Sequence, residues 1–115
     1  MPQLFHARKR EDRLITSVCH DLESQYTKVD IGALARQYYL SLRQLERRFK
    51  SVVGVSMKEY QRIFRFTHTL ADIRKNPSKS LLQIAFDHGY TDHAHLTREV
   101  RRMTGRNPSM LREIQ

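Results

Sequence analysis

The sequence contains little cysteine, glycine or proline, the residues that cross-link a small fold or interrupt its helices and strands. Its one cysteine, Cys19, cannot form an intramolecular disulfide and offers no zinc-binding spacing, which favours a reducing compartment. Four glycines and three prolines among 115 residues are too few for a fibrous or disordered chain. Apolar runs are too short for a bilayer span or the hydrophobic segment of a signal peptide. These absences predict a soluble, cytoplasmic protein without membrane contact.

The chain instead has a large excess of positive charge. Lys and Arg number 21 against 12 Asp and Glu, which gives a formal net charge of +9. A short chain with this balance has a polyanion as its first expected partner, ahead of acidic substrates and anionic membranes. Because 39% of the residues are hydrophobic and recur at helical spacing, the charge is expected on a packed domain.

The spacing of apolar and helix-capping residues predicts an all-α fold of seven helices. From Glu11 to about Tyr26, apolar residues recur every three or four positions, as in an amphipathic helix. Residues 1–10 lack this periodicity and are predicted to form a flexible basic leader. The alternation of β-branched residues that strands require is missing. Six further helix starts follow side chains that can cap a helix, at Asp30, Ser41, Ser56, Ser80, Asp92 and Asn107.

The second half of the chain repeats the first half. Leu34-Ala35 corresponds to Ile84-Ala85 at an offset of 50, and Leu45 corresponds to Leu96 at an offset of 51. Each half contains a short helix, a turn and a longer helix, the pattern of a helix-turn-helix whose second helix enters the major groove of DNA. The predicted organisation is a leader at 1–10, a first helix-turn-helix unit at 11–55, a linker helix at 56–77 and a second unit at 78–115.

The outer face of the first longer helix is predicted to read DNA bases. Steps of about 100° per residue from the core position Leu45 place Arg43, Glu46 and Arg47 on the outside. Arginine can donate two hydrogen bonds to O6 and N7 of guanine, which favours Arg43 and Arg47 as base readers. Glu46 either accepts from a cytosine amino group or pairs with a neighbouring cation in the free protein.

The second longer helix carries the remaining predicted base readers. Ala94, Thr97 and Arg98 fall on its outer face, where Arg98 occupies the position of Arg47, and His93 and His95 lie on the flanks near the helix start. Other basic and capping residues are predicted to contact phosphates, which makes binding sensitive to salt. They are Ser41, Lys50, Arg62, Arg101, Arg102, Arg106, Asn107 and Arg112.

The linker helix, from Met57 to about Asn76, is predicted to be a rigid connection between the halves. Its apolar stripe includes Ile63 and Thr67, whereas Phe66 lies off the stripe and could serve a neighbouring module. About 20 residues at about 1.5 Å each give about 30 Å, close to the roughly 34 Å between successive major-groove faces of B-DNA. One monomer could therefore use both recognition helices; the alternatives are that the halves bind one at a time or that the DNA bends.

These motifs together resemble the DNA-binding domain of the AraC/XylS family of bacterial transcription regulators. The matching residues extend from about Ile15 to Glu113. In the first half they are Leu34-Ala35, Ser41, Leu45-Glu46-Arg47-Arg48-Phe49-Lys50 and Gly54-Val55-Ser56. In the second half they are Ile84-Ala85, Gly89-Tyr90-Thr91-Asp92, His95-Leu96-Thr97-Arg98-Glu99-Val100, Gly105 and Asn107-Pro108.

The resemblance implies a regulator, usually an activator, that binds asymmetric promoter sites on double-stranded DNA and contacts RNA polymerase. It also implies base contacts from the outward residues of both recognition helices. Two departures from the family pattern are Val100, where the family has Phe, and Ala94, which offers no hydrogen bond. Readout by the second half is therefore expected to depend on His93, His95 and Arg98; the alternative is that the second unit mainly binds phosphates and reads few bases.

Many family members carry a separate effector-binding or dimerisation domain in front of this module. The linker-like beginning favours a C-terminal fragment over a stand-alone regulator. The isolated chain is expected to be a monomer with no small-molecule effector site and no cofactor.

Other functions fit the sequence less well. His93 and His95 point about 200° apart on a helix and cannot share a metal ion, and no phosphate-binding loop or nucleophile motif of an enzyme is present. No enzymatic activity is therefore expected. A membrane-surface or calmodulin-target helix would not require two matched, capped modules. The alternative function is a nonspecific basic DNA-binding or protein-interaction module.

Overall fold

The computed structural model describes the backbone of residues 2–112 and the side chains of residues 12–112. Over this range the chain is helical and contains no strand, which confirms the predicted all-α fold of seven helices. The helices are α1 (Pro2–Ser24), α2 (Ile31–Gln37), α3 (Leu42–Val53), α4 (Met57–Lys75), α5 (Leu81–Asp87), α6 (His93–Thr104) and α7 (Pro108–Arg112).

Helix α1 begins at Pro2, so the predicted start at Glu11 was wrong. The apolar periodicity marks where α1 is buried, whereas the backbone remains helical ahead of that segment. The side chains of the proposed leader lie outside the described residues, and its flexibility stays a prediction.

Local capping chemistry sets the ends of the two longer helices that follow the turns. Ser41 Oγ accepts from the Gln44 amide at 3.1 Å while Gln44 Oε1 accepts from the Ser41 amide at 3.0 Å, a reciprocal cap at the start of α3. Asp92 Oδ1 accepts from the His95 amide at 2.7 Å and begins α6. Gly54 and Gly105, with φ of +94° and +74°, end α3 and α6 in the left-handed conformation that favours glycine.

The first compact unit contains the described residues up to Gln25 together with Val29–Gln61. Its core joins α1, α2, α3 and the start of α4. Tyr38 donates to Asp21 at 2.5 Å and Tyr60 donates to Glu23 at 2.7 Å, which tie α2 and α4 to α1. The buried apolar side chains are Ile15, Val18, Leu22, Leu34, Ala35, Leu45, Phe49 and Met57.

The second compact unit contains Tyr26–Lys28 and the described residues from Arg62 onwards. Val100 is fully buried in its core. Tyr26 stacks on His68, with ring centroids 5.1 Å apart, and also contacts Phe64. The buried apolar side chains of this unit are Ile73, Ile84, Ala85, Tyr90, Leu96, Val100 and Leu111.

Helix α4 contributes to both cores, and the single apolar stripe predicted for it was wrong. Ile63 and Thr67 are exposed, whereas Arg65 and Thr69 are buried. Phe66, predicted to lie off the stripe, packs on the core of the second unit. A helix that serves two cores has no single face, so one periodic pattern over its whole length misassigns residues near the change. No helix in the described part is long and apolar enough to span a membrane.

Candidate nucleic-acid interface

The first candidate contact surface runs along α3. Leu45 and Phe49 are completely buried and fix which face of the helix is turned outward. The opposite face forms a shallow depression, here called the α3 surface, lined by Arg43, Glu46, Arg47, Lys50 and Ser51. Counted from Arg43, the other four positions lie three, four, seven and eight residues further along, so the five residues form one continuous stripe on the helix. The outward orientation predicted for Arg43, Glu46 and Arg47 is therefore observed.

The polar groups of the α3 surface are available to a ligand. Arg43, Glu46 and Arg47 are exposed and make no hydrogen bond or ion pair with another described side chain. The alternative in which Glu46 pairs with Arg47 in the free protein is thus not seen within the described residues. Two free guanidinium groups on one helical stripe match the donor geometry that guanine requires in the major groove.

The corresponding surface of the second unit lies on α6 and is poorer in polar groups. His93, Ala94 and Arg98 are exposed, above the completely buried Leu96 and Val100. We call these three exposed residues the α6 surface. Arg98 lies at the position equivalent to Arg47, whereas Ala94 takes the position of Arg43 and removes a hydrogen-bonding group there.

Two predicted base readers, His95 and Thr97, do not lie on the α6 surface. His95 Nδ1 accepts from the Thr91 amide at 3.2 Å, and its ring packs edge-on against Tyr90 at a centroid distance of 5.1 Å. Burial lowers the pKa of His95, and the nearby positive charge of Arg65 lowers it further. Thr97 Oγ1 is buried without a hydrogen-bond partner among the described residues. Both residues are about 100° from Leu96 on the helix, so their side chains lie at the edge of the core.

Two predicted phosphate contacts, Arg62 and Arg112, are occupied within the second unit. Arg62 Nη2 lies 3.2 Å from Glu99 Oε2. Arg112 donates through Nε to the Ile73 carbonyl oxygen at 3.4 Å and through Nη2 to that of Lys79. It thereby satisfies carbonyl groups near the end of α4, where helices leave acceptors unpaired. Both arginines thus have structural partners in the second unit, and their contact with phosphate stays a prediction.

The other predicted phosphate contacts remain accessible to different degrees. Ser41, Lys50 and Arg106 are exposed. Asn107 is half-buried, and its Oδ1 accepts from Arg101 Nε at 2.5 Å, so its side chain orients Arg101. Arg102 is also exposed, with Nη2 at 3.7 Å from Glu99 Oε1. Contact of these six residues with phosphate stays a prediction.

A buried carboxylate that supports α6 was missed in the sequence. The Glu99 side chain is 3% exposed and is approached by three guanidinium groups, those of Arg62 at 3.2 Å, Arg102 at 3.7 Å and Arg65 at 4.0 Å. Arg65 also lies over the Tyr90 ring, 4.5 Å from its centroid. These contacts bind the recognition helix α6 to α4. The signal in the sequence was an acidic residue between the core residues Leu96 and Val100, three positions after the former.

A second polar network holds the turn that precedes α6. His88 Nε2 lies 2.8 Å from Asp72 Oδ2, and His88 Nδ1 lies 2.9 Å from the Tyr26 hydroxyl. Burial acts to raise the pKa of Asp72, but hydrogen bonds from Lys79, His88 and Asn76 outweigh it and bring the pKa to about 2. Within the described residues, no three His, Cys, Asp or Glu side chains are placed to hold a metal ion.

The comparisons with known proteins agree with this arrangement of helices. Residues 34–114 match the protein family described as "Helix-turn-helix domain". The chain is similar to the HTH-type transcriptional activator RhaR of Salmonella dublin, with 27% identity over 103 residues, which are 90% of this chain and 35% of that protein. The chain thus spans about a third of the length of this curated relative.

Solved structures of similar fold include a domain bound to DNA. The DNA-binding domain of AdpA, solved in complex with a target DNA, is 25% identical with a TM-score of 0.75, over 87% of this chain and 89% of that chain. A transcriptional regulator with an AraC-type DNA-binding domain from Chromobacterium violaceum is 22% identical with a TM-score of 0.75, over 94% of both chains. The C-terminal domain of AraT from Geobacillus stearothermophilus is 14% identical with a TM-score of 0.81, over 89% of this chain and 85% of that chain. The last two likenesses show the fold.

Proposed function

The chain belongs to the AraC/XylS family of helix-turn-helix DNA-binding domains, a family without enzymatic activity, and on this premise we propose that it is a sequence-specific regulator of bacterial transcription. The observation that carries the proposal is the α3 surface. Arg43, Glu46 and Arg47 have no partner among the described side chains, and two fully buried side chains fix the opposite face of their helix. Such a helix is ordered in advance and keeps its polar groups for a ligand.

In this proposal, α3 and α6 enter two segments of the major groove. Arg43 and Arg47 donate paired hydrogen bonds to guanines under α3, and Glu46 accepts from a cytosine amino group. Under α6, Arg98 binds guanine and His93 adds a contact at the start of the helix. We propose that one monomer uses both recognition helices on successive segments of the groove.

Phosphate contacts are proposed from the accessible basic and capping residues that flank the two surfaces. They orient the protein on the duplex and supply affinity that does not depend on sequence. These residues are Ser41, Lys50, Arg101, Arg102, Arg106 and Asn107.

The further parts of the proposal concern partners and setting. AdpA is described with a target DNA and RhaR is described as a transcriptional activator, which supports promoter DNA as the ligand and activation as the outcome. Because the family resemblance implies contact with RNA polymerase, we propose this enzyme as the second partner, in the cytoplasm. Each unit carries its own recognition helix, so the isolated chain is proposed to bind as a monomer without an effector of its own.

Selection of bound duplexes from a random pool, followed by titration of two arginine variants, tests the proposal. Arg47→Ala and Arg98→Ala should each weaken binding to the selected duplex by roughly 1–3 kcal/mol, because each removes a bidentate contact with guanine. Binding to random duplex should change much less. Arg74→Ala is the control, since Arg74 is an exposed arginine outside α3 and α6.

Two results would contradict the proposal. Equal losses on selected and random duplex would mean that the two arginines contact only the DNA backbone. A pool that yields no preferred sequence, or equal affinity for anionic vesicles, would favour the nonspecific basic module.

A further inference from the structure

One residue in the turn before α3 combines an unfavourable backbone conformation with nearly complete exposure. Tyr39 has a φ of +57° and is, among the described residues, the only one other than glycine with a positive φ. Its side chain is 96% exposed. The left-handed conformation destabilises residues that have a Cβ atom, and an exposed ring gains no packing energy in return. Folding alone therefore does not account for a tyrosine at this position.

The equivalent turn of the second unit shows which residue this position carries when only the fold requires it. Gly89 is the equivalent of Tyr39 at an offset of 50, and its φ is +81°. A Cβ atom on Gly89 would lie 2.3 Å from the Thr27 carbonyl oxygen, so the second unit requires glycine there. In the first unit the position is open to solvent, and a large side chain occupies it despite the strain. Strain of this kind is retained mainly where a side chain has a function.

The residues next to Tyr39 in the sequence have structural roles within the first unit. The Tyr38 hydroxyl donates to Asp21, Leu40 packs on the core, and Ser41 caps α3. In a helix-turn-helix the first helix crosses the DNA backbone while the second enters the groove, so the turn between them lies beside the sugar-phosphate chain. Tyrosine hydroxyls are among the groups that bind phosphate oxygens at such places.

We propose that Tyr39 is a DNA-backbone contact, whose hydroxyl donates to one phosphate oxygen next to the groove segment entered by α3 while its ring covers the adjoining sugar. This inference rests on the proposed binding of duplex DNA. It makes Tyr39 a residue that positions α3 on the duplex and does not read bases. The contact is neutral, so it releases no counterion and adds nothing to the salt dependence of binding.

Two variants at this position should separate binding from stability. Tyr39→Phe should weaken binding about three- to tenfold on selected and random duplex alike, as expected for one neutral hydrogen bond. The slope of log affinity against log salt should stay unchanged. Tyr39→Gly should weaken binding at least as much, yet raise the midpoint of thermal unfolding by about 3 °C, because glycine relieves the left-handed strain. A gain in stability with a loss of binding cannot come from misfolding.

Neutral methylphosphonate substitutions, made one at a time along the selected duplex, locate the contact. At one phosphate next to the α3 site, the substitution should weaken wild-type binding and should remove the difference between wild type and Tyr39→Phe. Tyr38→Phe is the matched control. It deletes the neighbouring hydroxyl, which is bound to Asp21, and should lower stability without changing the methylphosphonate profile.

Different results would contradict the Tyr39 contact and the proposed sequence-specific regulation. If Tyr39→Phe and Tyr39→Gly both keep wild-type affinity on both duplexes, the proposed DNA-backbone contact is overturned. The exposed ring would then be assigned to binding a protein partner. Absence of any preference for the selected duplex would overturn sequence-specific regulation, while the Tyr39 contact would still be measured on random duplex.

Discussion

The substitution Gly89→Ala tests how the second helix-turn-helix is held together. Gly89 lies in the turn before α6 with a φ of +81°. A Cβ atom there would meet three backbone atoms of Thr27, namely the carbonyl oxygen at 2.3 Å, Cα at 2.7 Å and the carbonyl carbon at 2.9 Å. Backbone atoms cannot move aside as a side chain can, so either the turn or the Tyr26–Lys28 segment must shift.

The size of the effect follows from two separate contributions. Alanine in the left-handed conformation destabilises by about 1–2 kcal/mol, partly offset by about 0.4–1 kcal/mol because alanine restricts the unfolded chain. Overlap with a packed backbone adds about 1–3 kcal/mol. We therefore expect Gly89→Ala to lower the free energy of unfolding by about 3 kcal/mol, a large share of the roughly 5–15 kcal/mol typical of a domain.

Gly105→Ala is the matched control, because Gly105 has a φ of +74° and no atom within 4 Å of an added Cβ. It should show the conformational contribution alone, about 1 kcal/mol. Urea unfolding followed by circular dichroism measures both variants against wild type. If Gly89→Ala and Gly105→Ala differ by less than about 0.5 kcal/mol, the close approach of Thr27 is not a feature of the folded protein.

Two further predictions concern the polar networks of the second unit. Glu99→Ala should lower the free energy of unfolding by about 3 kcal/mol, because the arginines around the buried carboxylate lose their partner; a loss in urea unfolding within about 0.5 kcal/mol of zero would contradict this. Asp72 has a folded pKa of about 2, below its unfolded value, so its contribution to stability is present above about pH 4 and is lost as the pH falls through about 2. Unfolding at pH 4, 3 and 2 should show a steeper loss in wild type than in Asp72→Asn, and equal slopes would exclude a stabilising role for the ionised carboxylate.

Much of the fold follows from interactions between residues close in sequence. Ser41 and Gln44 form their reciprocal cap within one turn, and Gly54 ends α3 through its own backbone conformation. Such signals do not depend on distant contacts, so the sequence alone predicts them. The buried pair Leu45 and Phe49 likewise defines the outer face of α3, which is why the α3 surface was predicted with its residues in place.

The sequence analysis missed features that distant residues determine. Arg62 was predicted only as a phosphate contact because it is basic, and its ion pair with a carboxylate 37 positions away was missed. Tyr26 joins the second unit although it lies only two residues after the end of α1. Thr97 was predicted on the outer face, but its Oγ1 is buried. An angle of about 100° from a core residue does not show which side of the helix a neighbouring element covers. A helical wheel shows in which direction a side chain leaves the helix axis. Only tertiary packing shows how close the nearest neighbouring element lies to that side chain.

The two recognition helices are therefore unequal in what they offer to DNA. At equivalent positions, α3 carries Arg43 and Arg47 whereas α6 carries Ala94 and Arg98. Each bidentate arginine contributes about 1–3 kcal/mol of discrimination between bases, and Thr97 is half-buried with its Oγ1 covered, whereas its equivalent Glu46 is exposed. Base discrimination should then concentrate under α3, while α6, which carries the exposed Arg101 and Arg102 in its last turn, should add mainly contacts with phosphate. If the proposed contacts are made, a single chain of these two similar modules should favour an asymmetric site, because its halves would recognise DNA to different degrees.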